Sequence, residues 1–182
     1  MPFTKINSIK TNLAVINLPE VNNQEMLEED ELRAIGTPYR YGYKHEVHFS
    51  SENSGKWYPT DDGGKIWQIS FKSESAYSIC LEYENFYIPV GGQLFVYSPD
   101  YEMVLGAYTH LNNSELQYFA TPHIKGNTIT LEYYQPEWVE DNFSILVTEI
   151  IHDYRDIMNY YNTERDWECG INVICEEREE YQ

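Results

Sequence analysis

The fold class is decided by one stretch of sequence, Trp57-Tyr58-Pro59-Thr60-Asp61-Asp62-Gly63-Gly64-Lys65-Ile66-Trp67-Gln68-Ile69-Ser70-Phe71-Lys72. The Asp-Gly pair within it supplies the positive φ that a tight turn requires, so the stretch predicts a β-hairpin. After the turn, Trp67, Ile69 and Phe71 alternate with polar residues. This period of two places the apolar side chains on one face and the polar ones on the other, as expected for a half-buried strand.

The alternation extends in both directions from this hairpin. Residues 47–154 form short alternating segments separated by turn residues, and no helical period is long enough to compete. In the next segment Tyr77, Ile79, Leu81 and Tyr83 share one face, and Cys80 falls on the more polar face as an expected unpaired thiol. Further strands are predicted at residues 93–98, 103–109, 117–121, 128–134 and 143–154.

About eight such strands predict an all-β fold, an antiparallel β-sandwich of the jelly-roll type. Loops of about 4 to 8 residues favour antiparallel neighbours, because parallel pairing requires crossovers of a dozen residues or more. Before the strands, Asn22-x-x-Glu25 is a capping box that predicts a short acidic helix running to about Ile35, with Gly36 as its stop.

These patterns divide the chain into three parts. Residues 1–43 are an N-terminal extension with the short helix, and residues 44–156 are the β-sandwich. Residues 157–182 are a linker followed by an extended tail.

The composition argues against two classes of partner. The formal charge of -18 opposes attraction to phosphate groups, so neither nucleic acid nor an anionic membrane surface is expected. No run of about 18 apolar residues is present, so membrane insertion is not expected either. Residues 1–12 lack the apolar core of a signal peptide, which leaves a cytosolic protein or a secreted one whose leader lies outside this sequence.

Residue types with catalytic or metal-binding chemistry are present but form no recognisable constellation. The Gly-Asp-Ser-Gly segment of trypsin-like enzymes is absent and the five histidines are scattered, which predicts surface histidines and no catalytic or metal-binding residues. Asp61 and Asp62 could bind calcium, although turn chemistry is the favoured interpretation, and no other cofactor is expected. Trp138, Tyr133 and Tyr134 are candidate ligand-surface residues, because exposed aromatic rings stack on sugars or anchor a protein partner.

The three cysteines cannot all pair with one another, so at least one is free or bonds outside these residues. Cys169 and Cys175 are six positions apart, and in an extended segment they would lie roughly 20 Å apart, beyond the disulfide Cα limit of about 7 Å. A disulfide between them is conceivable, but this spacing does not favour it.

A set of short segments comes in a fixed order along most of the chain. They are Leu18-Pro19-Glu20-Val21, Pro38-Tyr39-Arg40-Tyr41-Gly42, Lys65-Ile66-Trp67, Tyr87-Ile88-Pro89, Leu94-Phe95-Val96-Tyr97, Met103-Val104-Leu105-Gly106-Ala107-Tyr108-Thr109, Ile129-Thr130-Leu131-Glu132-Tyr133-Tyr134-Gln135-Pro136 and Cys169-Gly170-Ile171-Asn172-Val173-Ile174-Cys175. In this order they resemble the N-terminal region of secreted lysyl endopeptidase-like, trypsin-like serine proteases of Bacteroidetes-type bacteria.

The resemblance implies a non-catalytic prodomain that acts as an intramolecular chaperone or inhibitor, in a protein that is secreted, periplasmic or at the cell surface. Its partner would be the downstream protease domain of its own precursor, which the tail begins. Cys169 and Cys175 would form disulfides with that domain, and Arg165 is a candidate processing site. The alternative hypothesis is a carbohydrate- or protein-binding module that holds a secreted enzyme on a glycan or a cell-surface protein, and a third is an orphan product without a partner.

Overall fold

The computed structural model describes residues 1–13 and 15–160. The strands are β1 (Val15–Asn17), β2 (Tyr43–Ser50), β3 (Lys56–Pro59), β4 (Lys65–Lys72), β5 (Ser78–Tyr87), β6 (Gln93–Tyr97), β7 (Val104–Tyr108), β8 (Phe119–Ala120), β9 (Ile124–Lys125), β10 (Thr128–Gln135) and β11 (Ser144–His152). The helices are α1 (Phe3–Ile6), α2 (Asn23–Glu31) and α3 (Ile157–Tyr160), with a 3₁₀ turn at His110–Asn112.

Two β-sheets pack face to face, which confirms the predicted all-β sandwich. In the six-stranded sheet the order is β1-β4-β10-β6-β7, with β3 also paired to β4. In the five-stranded sheet the order is β2-β11-β5-β8, with β9 also paired to β5. The predicted hairpin is formed by β3 and β4, which pair antiparallel around the Asp-Gly turn.

One pairing departs from the antiparallel prediction. β1 runs parallel to β4, with Val15 opposite Ser70 and Asn17 opposite Lys72. The rule for short loops does not apply to this pair, because the chain between the two strands contains α2, β2 and β3. The short segment β1 therefore extends the six-stranded sheet at its edge.

The core lies between the sheets and is built from the alternating residues that the sequence predicts. Trp67, Ile69 and Phe71 of β4 face Leu81 and Tyr83 of β5 across it, and all are fully buried. Their polar neighbours point to the outer faces of the two sheets, as the period of two requires. Within β4 and β5 these inner residues are the predicted ones, whereas Tyr77, predicted to share their face, precedes β5 and is 48% exposed.

The outer face of the six-stranded sheet is also covered, whereas the sequence predicts that β4 is only half-buried. Gln68 is 3% exposed there, and the Glu132 side chain of β10 is fully enclosed. The N-terminal segment, residues 1–13, lies over them: the backbone N–H of Thr4 donates to Glu132 Oε1 at 2.9 Å, and its hydroxyl donates to Oε2. Phe3 stacks on Tyr134 with ring centroids 3.9 Å apart. This segment therefore forms a partial third layer.

Helix α2 begins as predicted but ends early. The Asn22 side chain accepts a hydrogen bond from the Glu25 N–H at 3.3 Å, which caps the first turn. The helix stops at Glu31 rather than near Ile35, because Leu32 and Ile35 remain exposed and no apolar face holds another turn against the sandwich. Gly36 follows with a φ of 89°, the positive value expected of a turn glycine.

Candidate docking surface

A pocket lined by tyrosines lies where α2 leads into β2. It has a volume of roughly 430 Å³ and is lined by Arg33, Pro38, Tyr39, Arg40, Tyr41, Gly42, Tyr43 and Lys44, which we call the tyrosine pocket. Tyr39 is 68% exposed, and Tyr41 and Tyr43 are also exposed. Exposed tyrosines next to arginine are the side chains most enriched in protein interfaces, so this surface has the composition of a docking site.

Gly42 sets the shape of this segment. A Cβ atom at this position would lie 2.6 Å from Ile151 Cγ2 and 2.8 Å from the carbonyl oxygen of His152. Only glycine therefore allows the segment to approach β11 so closely. The flanking tyrosines contact histidine rings edge-on: Tyr41 with His123 at 5.8 Å and Tyr43 with His45 at 5.0 Å between ring centroids.

Asp30, from the last turn of α2, links Arg40 of the tyrosine pocket to the end of β11. Its carboxylate accepts hydrogen bonds from Arg40 Nε at 2.9 Å, from the Tyr154 hydroxyl at 2.7 Å and from the Arg155 guanidinium. Burial acts to raise the pKa of Asp30, but the hydrogen bonds from Tyr154 and Arg155 and the arginine charges outweigh it, so the pKa lies below the ordinary value. The helix, the tyrosine segment and the end of β11 are thereby joined at one carboxylate.

Arg155 contacts the tyrosine pocket at two places. Its guanidinium lies over the Tyr39 ring, 4.8 Å from the centroid, and its Nε donates to the carbonyl oxygen of Arg40 at 2.9 Å. Helix α3 begins two residues later, at Ile157. The described chain therefore passes beside Tyr39 at Arg155, five positions before residue 160.

Cys80 lies on the outer face of the five-stranded sheet, near this pocket. It is buried, and it is a free cysteine among the described residues. Burial and then the nearby Glu82 carboxylate raise the pKa of its thiol to about 12. The thiol is therefore protonated at neutral pH.

The sequence analysis predicts that the histidines are scattered on the surface, and this prediction is wrong for His45 and His152. His45 and His152 are buried, and the His152 Nδ1 lies 2.7 Å from the Ser73 hydroxyl. Its Nε2 lies 2.8 Å from Asn23 Oδ1, and the Asn23 amide nitrogen donates to the Ser75 carbonyl oxygen, which orients the oxygen toward the ring. Nε2 therefore carries the proton and Nδ1 accepts from Ser73.

A second pair of contacts adjoins this cluster. The Ser78 hydroxyl donates to Asp153 Oδ2 at 2.6 Å and lies 2.9 Å from His123 Nδ1. Ser73 and Ser78 are both fully buried, so a substrate cannot reach either hydroxyl, and the contacts satisfy polar groups inside the fold. The sequence gives no local signal for this cluster, because its partners lie 28 to 129 positions apart.

The calcium candidates belong to the hairpin turn. Asp62 accepts hydrogen bonds from the Thr60 hydroxyl at 2.5 Å, the Gly64 N–H at 3.3 Å and the Tyr134 hydroxyl at 2.5 Å. Asp61 is exposed beside it. Within residues 1–13 and 15–160, no group of three or more histidine, cysteine, aspartate or glutamate side chains is placed to hold a metal ion.

The three aromatic candidates have different environments. Trp138 is 68% exposed, whereas Tyr133 is fully buried and stacks on Phe143 with ring centroids 3.6 Å apart. Tyr134 is partly buried under Phe3. The prediction that Tyr133 is a surface residue is therefore wrong. Adjacent residues on a strand point to opposite faces, and Tyr133 lies on the inner face with Leu131.

Three predicted residues, Arg165, Cys169 and Cys175, lie outside the described part of the chain. No protein-family model matches the sequence. Across the described residues, none of the helices is long and apolar enough to cross a membrane.

Proposed function

We propose that this chain is a non-catalytic N-terminal domain of a secreted trypsin-like serine endopeptidase, and that it restrains the protease domain of its own precursor by docking that domain on the tyrosine pocket. The observation that carries the proposal is the position of Arg155 against Tyr39. A domain that follows this chain would be joined to it through a short linker that leaves the fold near Tyr39, so it would meet the pocket at high effective concentration, which strengthens binding without further contacts.

The chemistry of the pocket supports a protein partner. Its rings and basic groups can each make both apolar and polar contacts, and Arg40 is already held by Asp30 and Glu29. Such pre-ordered side chains lose little conformational entropy on binding. The enclosed serine and histidine side chains around His152 are consistent with a domain whose part is to bind rather than to turn over a substrate.

We also propose that the sandwich is a jelly roll. The strand orders β2-β11-β5-β8 and β4-β10-β6-β7 support this, because a jelly roll places eight strands in two four-stranded sheets joined by Greek-key connections. The strands β1, β3 and β9 would then be additions to that framework. An experimentally determined strand order different from this one would refute it.

The docking proposal is tested by adding the purified chain to a mature lysyl endopeptidase of the resembled family and measuring initial rates on a lysyl chromogenic peptide. Inhibition is expected, and Tyr39→Ser with Tyr41→Ser should raise the inhibition constant roughly 10- to 100-fold, because buried interface tyrosines typically contribute about 1 to 3 kcal/mol. Trp138→Ser is the matched control, since it removes an equally exposed ring from a loop outside the tyrosine pocket. Rates that stay unchanged at a saturating concentration of the chain would refute the proposal.

A further inference from the structure

Helix α2 is attached to the sandwich by side-chain hydrogen bonds near its two ends. None of its nine residues is buried, so apolar packing contributes little to holding it in place. At its first residue, the Asn23 side chain lies 2.8 Å from His152 Nε2 and donates to the Ser75 carbonyl oxygen at 2.7 Å. In its last turn, Asp30 accepts from the Tyr154 hydroxyl at 2.7 Å. The position of the helix therefore depends on a few polar contacts, one of them with a histidine.

The surroundings of His152 disfavour a positive charge. The ring is fully enclosed, and its Nδ1 accepts from the Ser73 hydroxyl, so protonation of Nδ1 must reverse that hydrogen bond. The ring also lies at the N-terminus of α2, where the helix dipole repels a cation. A second buried ring, His45, has its centroid 6.4 Å away, and its Nε2 lies 3.4 Å from the same hydroxyl. Two protonated rings at this distance would repel each other.

The charged groups around these rings offer little compensation. Asp153 is adjacent in the chain, but its carboxylate already accepts from a serine hydroxyl and from two backbone N–H groups. Glu20 and Glu25 lie near Asn23 and are exposed, so solvent and salt screen them. Glu74, in the loop between β4 and β5, is exposed and forms an ion pair with a lysine, and Lys125 of β9 carries a positive charge.

Two histidines also lie directly behind the tyrosine pocket. His45 contacts the Tyr43 ring and His123 contacts the Tyr41 ring, both edge-on. His123 is partly buried, and its Nδ1 lies 2.9 Å from the Ser78 hydroxyl. A charge on either histidine would therefore develop against a tyrosine that lines the pocket.

These surroundings determine the direction in which acid acts. Burial lowers the pKa of His45, His123 and His152, to about 4 for His152, and Asp153 opposes this effect at His123 and His152 without outweighing it. When α2 detaches, His152 reaches solvent and its pKa returns toward 6.5. Between these values the detached form binds a proton that the attached form does not, so acid favours detachment. For His152 alone, the equilibrium constant for detachment rises roughly 30-fold from pH 7.5 to pH 5.0.

We propose that acid detaches α2 from the sandwich through protonation of His152, and that the detachment opens the tyrosine pocket and releases the domain docked there. Because α2 carries Asp30, its departure removes the acceptor that holds Arg40 and Arg155 beside Tyr39. The release rests on the proposed function, whereas the detachment is a property of this chain alone.

Amide hydrogen exchange of the full chain at pH 7.5 and pH 5.0, divided by the intrinsic rate at each pH, measures the detachment. The amides of α2 should exchange through an opening that leaves those of β10 protected, and the opening constant should be roughly 30-fold larger at pH 5.0. The proposal is overturned if α2 exchanges as slowly as β10, because the helix then opens only when the whole fold does. An opening constant that does not change with pH overturns it as well.

Two pairs of variants locate the effect at the contact between Asn23 and His152. Glutamine retains a donor and an acceptor but does not titrate, so His152→Gln should remove the pH dependence, whereas His48→Gln, on the exposed side of β2, should retain it. Asn23→Ala should raise the opening constant roughly 10-fold at pH 7.5, because two hydrogen bonds are lost. Gln24→Ala is its matched control, since Gln24 bonds to Glu28 within the helix.

The second pair decides the matter if His152→Gln does not fold. Asn23→Ala that opens no more readily than Gln24→Ala overturns the proposal, as does a folded His152→Gln chain with the full pH dependence.

Calorimetric binding to a mature lysyl endopeptidase with a blocked active site, at the same two pH values, tests the release. The dissociation constant of the unmodified chain should rise at pH 5.0, by up to the same roughly 30-fold, and that of His152→Gln should not. Equal binding of the unmodified chain at both pH values overturns the release. Absence of binding at both pH values refutes the proposed docking and the release with it, whereas hydrogen exchange still decides whether acid detaches α2.

Discussion

The contact between Thr4 and Glu132 predicts that a single methyl-for-hydroxyl replacement near the N-terminus destabilises the whole fold. Thr4→Val keeps the side-chain volume but removes the hydroxyl that donates to Oε2 of the fully buried carboxylate. The backbone N–H of residue 4, Gln68 Nε2 and the Tyr97 hydroxyl remain as donors. Because a hydrogen bond to a charged group contributes about 1.5 to 3 kcal/mol, the free energy of unfolding should fall by about 2 kcal/mol.

The assay is urea unfolding followed by tryptophan fluorescence, since Trp67 is fully buried in the core. The midpoint should fall with the slope of the transition unchanged, which is the signature of lost stability without a change in exposed surface. Limited proteolysis tests the N-terminal segment directly. If this segment must open before trypsin cuts after Lys5 or Lys10, a loss of about 2 kcal/mol should make the cleavage of Thr4→Val roughly 30-fold faster.

The matched control is Thr148→Val, which removes a hydroxyl that makes only a 3.4 Å hydrogen bond to the carbonyl oxygen of Glu82. It should change the free energy of unfolding by about 0.5 kcal/mol or less, as expected for a weak contact near the surface. If Thr4→Val unfolds at the same urea concentration as this control, the N-terminal segment is not anchored by Glu132 and the reasoning is wrong.

Three further predictions concern other titratable or charged groups. Burial, and then the neighbouring His45, lower the pKa of His152 from 6.5 to about 4. Between these two pH values the unfolded chain binds a proton that the folded chain does not, so the urea midpoint should fall as the pH drops from 6.5 toward 4. His152→Gln should make the urea midpoint depend less on pH in this range. A raised thiol pKa and burial predict that Cys80 is inert, so the full chain and Cys80→Ala should react equally with Ellman's reagent when folded and differ by one thiol in urea. Asp30→Asn weakens the acceptor shared by Tyr154 and Arg155 and should cost about 1 to 3 kcal/mol in urea unfolding, whereas Glu31→Gln, on the exposed side of α2, should be neutral.

The sandwich could be predicted because its strongest signals are local. The Asp-Gly turn, the alternation through Trp67 and the alternation through Leu81 each depend on residues only a few positions apart. All three agree with the observed hairpin and with the inner faces of β4 and β5. The cap of α2 is local in the same sense, since Asn22 and Glu25 are three positions apart.

The features that the sequence does not reveal depend on distant partners. The cover over Gln68 comes from Thr4, and His152 is held by Asn23 from 129 positions earlier. Alternation alone shows that Gln68 leaves the core, but not that another segment will bury it. The tyrosine pocket likewise needs Arg155 to approach Tyr39, which no periodicity indicates.

The link between Thr4 and Glu132 spans 128 residues, and this distance has a consequence for biosynthesis. On the ribosome the N-terminal segment emerges early but has no carboxylate to bind until β10 has been made, so most of the chain must be synthesised before that layer can close. Until then the polar outer surface of the nascent sheet stays open to solvent and to chaperones. The N-terminal segment is thus synthesised before the strands that it covers but reaches its final position after them.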